Sequence, residues 1–560
     1  MTGGIIQLVA YGNEDLFLTR DPQITFFKVI YRRHTNFARE EICQDFINEP
    51  DFGKRSSCVL SANADLANRM ALKITLPAVP KITDSNGNLS NTRFAWVKYI
   101  GQAMIRSVEV EIGGRVIDRH YGEWMYLFSQ LTTRNIRDGS IDRLVGNIPE
   151  LTEYTNGKDE HVLYVPLHFW FCRSSGLSIP LVALHFSEVR INVEFRELEE
   201  LYRVTPTHYI RTIENIVSFK RGEYLYQKGD DGVDRFGIFS HFDPIEKKLF
   251  YTNVSSEKLV GVPLNGGISL SNLSDAAKAA ILETPRADRY NIKGMSSEYF
   301  AKPDLAVKSI TTNKRLFRNL KLKDCQLMVD YVFLDDDERY KIVNSKHDYL
   351  IEQLYFTPDI AIDGTNRRAK LVIDQPCKLM VWVAQLDYIK DFNDHFNYTD
   401  SHVNKLEFDE PVQPDADSNY TGYEENNNLD PVLDAQRVRT YTDAFQCESV
   451  GKQLIEESTI LFNSQERMTK RPFRYYEDLQ PYQHCNNTLP KGANMYSSAL
   501  NPFDPFPSGT TNMSQIEEID INLRMNFKVT IDNRAKFRAY ALCYNVWRVN
   551  NGLSAPVFIR

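Results

Sequence analysis

Residues 494–531, NMYSSALNPFDPFPSGTTNMSQIEEIDINLRMNFKVTI, constrain the fold more than any other stretch. Ile519, Ile521, Leu523, Met525, Phe527, Val529 and Ile531 alternate with Asp520, Asn522, Arg524, Asn526, Lys528 and Thr530. Side chains alternate across a strand, so the pattern predicts one long strand over 519–531 with a buried and a wet face. The approach to it cannot be regular. Pro502, Pro505 and Pro507 lack ladder donors, and Ser508-Gly509 permits a turn. An irregular segment feeding a two-faced strand suits a large antiparallel sandwich, not a catalytic domain built on βα units.

A chain of 560 residues exceeds one typical core, so two or more domains are expected. Its 29 Tyr and 32 Phe favour strands and broad contact surfaces over a helical bundle. The net charge of −8 argues against a protein that coats nucleic acid, which needs a basic footprint. No apolar run reaches the roughly 18 residues that would span a bilayer. The opening MTGGIIQLVAYGNEDLFL lacks the basic region and cleavage site of a signal peptide, so synthesis and folding in a cytosol are expected. The eight cysteines are scattered without a C-x-x-C pair, as reduced and mostly buried thiols would be. Seven N-x-S/T sequons, at Asn88, Asn253, Asn272, Asn397, Asn419, Asn486 and Asn512, read as chance matches in an unsecreted chain.

Strand signals form two clusters. The first holds the alternations at 70–76, 108–112 and 189–195, with Gly113-Gly114 predicting a two-residue hairpin turn into RVID. Helix-like pieces lie at 94–105 and 123–132. The second holds 325–334, 370–386, 519–531 and 538–549, with a helix-like piece at 338–354. Each half thus carries strands, a short helical excursion and long connections, the pattern of two similar sandwiches in tandem. Residues 220–315 read as an insertion or connecting loop region, partly ordered by YLYQ and FGIFSHF. The acidic, Asn- and Pro-rich stretch 391–446 reads as an exposed loop.

Little of this supports chemistry. No phosphate-binding Gly loop, H-E-x-x-H helix or C-x-x-C pair occurs. The acids Asp335, Asp336, Asp337 and Glu338 lack EF-hand spacing and sit where a strand gives way to a helix, so they read as a helix cap. His168, inside VPLHFWF, reads as a core or interface histidine. No catalytic residue, metal ligand or cofactor site is expected, and the chain is not read as an enzyme. The strongest interaction candidate is the segment around ITFFKVIYRRHTNF. There Arg20, Lys28, Arg32, Arg33 and Arg39 against Asp21 leave four surplus positive charges (five minus one), interleaved with Phe26, Phe27, Tyr31 and Phe37. Such a composition docks on neighbouring subunits or an anionic membrane surface, stacks single-stranded nucleic acid, or is a simple solvated face; the acidic whole favours docking over nucleic acid.

Five separated motifs, in order, together carry a family resemblance. They are GGIIQLVAYGNEDLFLTRDPQITFFKVIYRRHTNFA at the start, YIGQAMIRSVEVEIGGRVIDRHYGEWMYLFSQLT at 99–132, VPLHFWFCRSSGLSIPLVALHFSEVRINVEF at 165–195, VDYVFLDDDERYKI with HDYLIEQLYF at 329–356, and YSSALNPFDPFPSGTTNMS at 496–514. The chain resembles the major capsid proteins of nucleocytoplasmic large DNA viruses. It departs at Phe506, where Gln is usual before Pro-Ser-Gly, and in SQIEEID, where an Arg is usual. The resemblance implies an all-β fold of two tandem antiparallel eight-stranded jelly rolls, with short helices and long loops. The expected division is an N-terminal arm at 1–25, a first roll at 26–219, the insertion at 220–315 and a second roll at 316–560, whose start the 329–356 motifs mark. It implies a homotrimer forming a pseudo-hexagonal capsomer of an icosahedral shell, assembled in host cytoplasm. Its partners would be neighbouring capsomers, minor capsid proteins and an internal membrane, with no specific nucleic acid. Arg20, Phe26, Phe27, Lys28, Tyr31, Arg32, Arg33 and Arg39 would form the basal docking arm. A paralogous or minor capsid protein of the same fold, or a carbohydrate-binding or carbohydrate-active sandwich, are the alternatives.

Overall fold

The computed structural model describes residues 21, 34–61, 64–81, 94–133, 139–204, 208–212, 224–228, 234–243, 248–253, 262–263, 290–292, 308–309, 317, 320–400, 451–531 and 533–558. The chain enters through β1 (Phe37–Asp45), β2 (Arg55–Val59), β3 (Leu66–Leu76), β4 (Phe94–Trp96), β5 (Ile105–Ile112) and β6 (Arg115–Tyr121). The helix Gly122–Thr132 follows, then β7 (His161–Pro166), β8 (Val189–Phe195) and β9 (Tyr202–Val204). Next come β10 (His208–Thr212), β11 (Tyr224–Lys228), β12 (Asp234–Asp243), β13 (Lys248–Asn253), β14 (Val262–Pro263), β15 (Tyr290–Ile292) and β16 (Lys308–Ser309), which make a seven-stranded sheet of their own. The rest is β17 (Asp324–Leu334), the helix Asp336–Asn344, β18 (His347–Ile362), β19 (Asn366–Leu371), β20 (Pro376–Leu386), β21 (Ile455–Phe462), β22 (Gln465–Pro472), β23 (Ala493–Ser497), β24 (Thr511–Asn512), β25 (Ile519–Met525), β26 (Ala535–Asn550) and β27 (Leu553–Pro556).

Two eight-stranded jelly rolls result, and their wiring is the same. The first stacks the sheet β1-β17-β3-β7 on β2-β8-β5-β6; the second stacks β18-β26-β20-β23 on β19-β25-β21-β22. Every pairing in these four sheets is antiparallel. Each roll fills with the inward residues of its strands. One core holds Leu72, Ile74, Val108, Val110, Ile191 and Val193. The other holds Trp382, Ile460, Ile521, Leu523 and Phe537.

The expected hairpin forms: Gly113 and Gly114 adopt φ of 59° and 77°, the left-handed pair that a two-residue turn between twisted strands requires. Its counterpart, between β21 and β22, turns on Asn463 and Ser464 at 49° and 63°.

Several expectations are corrected. The long strand ends at Met525, where its amide bonds Thr365 O at 2.7 Å. Asn526 then folds the chain: its side chain accepts from Lys528 N at 3.1 Å and its carbonyl from Val529 N at 3.0 Å, leaving Phe527 and Ile531 exposed. Residues 94–105 form β4 and a single short turn of helix, Ile100–Ala103, rather than a helix throughout. The helix expected over 338–354 stops at Asn344, because the next residues pair with β26 from His347↔Val549 to Ile362↔Ala535. Pairing of that length overrides local propensity. The strand at 324–334 does not open the second roll. It lies between β1 and β3, so the insertion interrupts the first roll before its last strand. Residues 392–400, expected in an exposed loop, are buried or half-buried against the first roll, while 401–446 lie outside the described residues.

Candidate assembly site: the joint between the jelly rolls

The helix Gly122–Thr132 leaves β6 without a loop. Trp124, Leu127, Phe128 and Leu131, spaced on one helical face, are buried against the second roll. They meet Leu379, Val381 and Val383 of β20, Met495 of β23, and Tyr540 and Leu542 of β26. Met380, Trp382 and Ala384 point the other way, into the second roll's core. β20 is therefore buried on both faces, which explains its unbroken apolar run LMVWVA at 379–384. Each large apolar side chain so buried contributes roughly 1.5–3 kcal/mol.

Polar groups fix the register of this contact. Arg538 of β26 donates to Glu123 at 2.6 Å and to Gln385 at 3.0 Å, and pairs with Asp359 at 2.9 Å. The Tyr540 hydroxyl donates to Glu123 at 2.5 Å. Burial opposes the charge on Arg538, but Glu123, Tyr540 and Asp359 outweigh it and hold its pKa above the usual value. Burial, and then Glu123, push Tyr540 well above the usual phenol range. The amide of Gln385 donates to the carbonyls of Asp394, His395 and Asn397, so it organises the segment that meets the first roll. There Asn393 donates to Glu199 O at 2.7 Å and Tyr202 O at 2.8 Å, and Arg203 donates to Asp394 at 2.9 Å. A third set lies along β18. Asp118 accepts from Leu354 N at 2.9 Å, Gln353 donates to Ile117 O at 2.6 Å, and Arg173 and Lys378 both pair with Glu352. Burial lowers Lys378 to about 8 despite Glu352 beside it.

His168 stands at the same joint. Its Nε2 lies 3.0 Å from the Ser129 hydroxyl and its ring 5.1 Å from Phe128. Burial, then His120 and Arg173, push its pKa down to about 3. The acids at 335–338 cap a helix: the Asp335 carboxylate accepts from Asp336 N at 2.9 Å. Of the docking-arm residues, Arg20, Phe26, Phe27, Lys28, Tyr31, Arg32 and Arg33 lie outside the described residues. Arg39 lies in β1 and is paired with Asp330 of β17, so it ties the sheet edge rather than standing in a loose arm. Among the described residues no group of three His, Cys, Asp or Glu side chains could hold a metal ion, and no helix is long and apolar enough to cross a membrane. Sequence reasoning missed Glu123, Arg538, Lys378 and Gln385. Their signal is a charged or amide side chain set within or beside an apolar run, EWMYLF, RAYALCY or CKLMVWVAQ.

Comparison with known proteins agrees with this architecture. Residues 25–224 match the family model for the major capsid protein N-terminus, and residues 338–555 that for the large eukaryotic DNA virus major capsid protein. The chain is 39% identical over 554 residues to probable capsid protein 4 of Acanthamoeba polyphaga mimivirus, covering 98% of each chain. It is 31% identical to the major capsid protein of Phaeocystis pouchetii virus, covering all of both. In fold it resembles the quasi-atomic PBCV-1 virus capsid, with a TM-score of 0.60 at 21% identity over 96% of this chain and 100% of that one. It likewise resembles the Faustovirus major capsid protein, with a TM-score of 0.60 at 11% identity over 96% and 94%. Tandem rolls of one topology, locked by a buried joint and matched along their length, place the chain in the family of major capsid proteins of large eukaryotic DNA viruses.

Proposed function

We propose that this capsid protein acts as a homotrimeric building block, a pseudo-hexagonal capsomer that tiles an icosahedral shell and catalyses no reaction. The observation that carries this reading is the pair of identically wired rolls fixed rigidly side by side. Three such chains present six similar edges, which suits hexagonal packing under closed symmetry. Assembly takes place in host cytoplasm. The arm preceding β1 faces minor capsid proteins and an internal membrane through its cations and aromatics, and no specific nucleic acid is bound. Light scattering of the purified protein should give three times the 64.8 kDa chain mass. A stable monomer at micromolar concentration would overturn the reading.

A second reading, a paralogous shell protein alongside a different major one, is favoured by the 39% identity to probable capsid protein 4, against 31% and 28% to two viral major capsid proteins. Its abundance relative to other capsid proteins in purified virions decides between the two.

A further inference from the structure

β20 and β26 pair antiparallel from Cys377↔Cys543 to Leu386↔Ala535, and the register shifts once, between Cys377 and Leu379. Lys378 is the extra residue of that bulge. It turns to the joint, where it pairs with Glu352, and Leu379 and Leu542 face the joint helix beside it. Cys377 and Cys543 turn the other way, into the core of the second roll with Met380 and Ala541. Two thiols therefore stand directly opposite each other, on neighbouring strands and on the same face.

The other described cysteines are placed differently. Cys58 lies across from Ile191, Cys325 from Ile74 and Cys43 from Met328. Cys485 Sγ lies 3.6 Å from Met495 Sδ, and Cys172 reaches the Asn68 carbonyl at 3.9 Å. Such settings suit thiols that serve as small side chains of the fold. Directly opposed residues of antiparallel strands have Cα atoms roughly 4.5–5.5 Å apart, inside the roughly 4.4–6.8 Å that a disulfide spans. A bond between Cys377 and Cys543 thus needs no change of register. The two residues are 1% and 0% exposed. However, Cys377 stands one residue inside the end of β20, and its neighbours Pro376 and Thr511 are half-buried. A water-sized oxidant therefore has a short path to the pair.

We propose that Cys377 and Cys543 form a redox lock. They are a dithiol while the chain folds in a reducing cytosol, and they become a cross-strand disulfide when the shell meets a medium that contains a hydroperoxide. Hydrogen peroxide takes one thiol to a sulfenic acid and releases water. The opposite thiol attacks that sulfur: the S–S bond forms, the S–OH bond breaks and a second water leaves. The two thiols lose two hydrogens, and one peroxide becomes two waters. The bond closes a loop between residues 166 positions apart (543 minus 377), a strong constraint on the unfolded chain. It also fastens the two strands at the bulge that carries Lys378 to the joint, so oxidation stiffens the sheet on which the first roll is seated.

The test incubates the reduced full chain with hydrogen peroxide, blocks the remaining thiols, and maps the digest by mass spectrometry. A linked Cys377–Cys543 peptide pair is expected, two hydrogens lighter than its parts and returned to thiols by dithiothreitol. The thermal midpoint should rise by roughly 5 °C or more and fall back on reduction, which a methionine sulfoxide would not do. Cys377→Ala and Cys543→Ala should each abolish the linked pair and the rise, with each variant compared against its own reduced form. Cys43→Ala, at an exposed thiol, should keep both. The parent's peptide map decides the bond even where a variant fails to fold. Cys377 and Cys543 recovered as thiols, or oxidised separately, while Cys43 is oxidised would overturn the inference. A linked pair without a reversible rise in midpoint would overturn the lock.

Discussion

Glu123 accepts hydrogen bonds from both Arg538 and Tyr540, and it belongs to the other roll. Truncating one partner of a buried ion pair leaves the other charge without compensation. Glu123→Ala should therefore destabilise the fold by about 3 kcal/mol, read as a lower urea midpoint. His168 gives a pH dependence at the same joint. Its folded pKa, about 3, lies below the unfolded value near 6.5, so the unfolded chain binds the proton first. Stability from this group is complete above about pH 6.5 and is lost as pH falls toward 3. His395 adds in the same direction, because burial and then Arg196 hold it well below the usual value. His168→Asn should flatten the fall in stability between pH 6.5 and 4, measured by urea titration at stepped pH. A variant as acid-sensitive as the parent would count against this account.

At the scale of elements, the hairpin β5–β6 and the helix it launches act as one part. Gly122 sits at their junction, and a Cβ there would lie 2.2 Å from Gln102 O and 2.4 Å from Ile105 O. Both are backbone atoms that cannot swing aside. Gly122→Ala should cost at least about 3 kcal/mol and displace the joint helix, seen as a lowered thermal midpoint and faster proteolysis between the rolls. Much of this element was legible in the sequence. Alternation gave β5, the Gly-Gly pair gave the turn, and apolar spacing gave the helix. The 519–531 strand and the 338–354 helix were legible only in part. Periodicity continues past Met525, but the Asn526 turn interrupts it; helical spacing continues past Asn344, but β26 claims the chain.

At the scale of the molecule, the first roll begins its ladder at Phe37, and Arg39 is already engaged with Asp330. Deleting residues 1–33 removes no described strand. We expect that variant to keep the parent's oligomeric mass and melting temperature while failing to form shells with the remaining capsid components. Loss of folding would instead make the arm part of the core. The joint accounts for rigidity at this scale, because its apolar helix face and its three polar sets tie each roll to the other at separate points.

By itself the sequence determined the class of fold, the tandem plan and the absence of a familiar catalytic motif, since alternation, turn residues and composition are local properties. The five motifs carried the family. Only the tertiary structure decided that β17 closes the first roll across the insertion, that β20 is covered on both faces, and which charges meet across the joint. Those are partnerships between residues hundreds of positions apart, such as Glu123 with Arg538, and no local pattern records the distance between them.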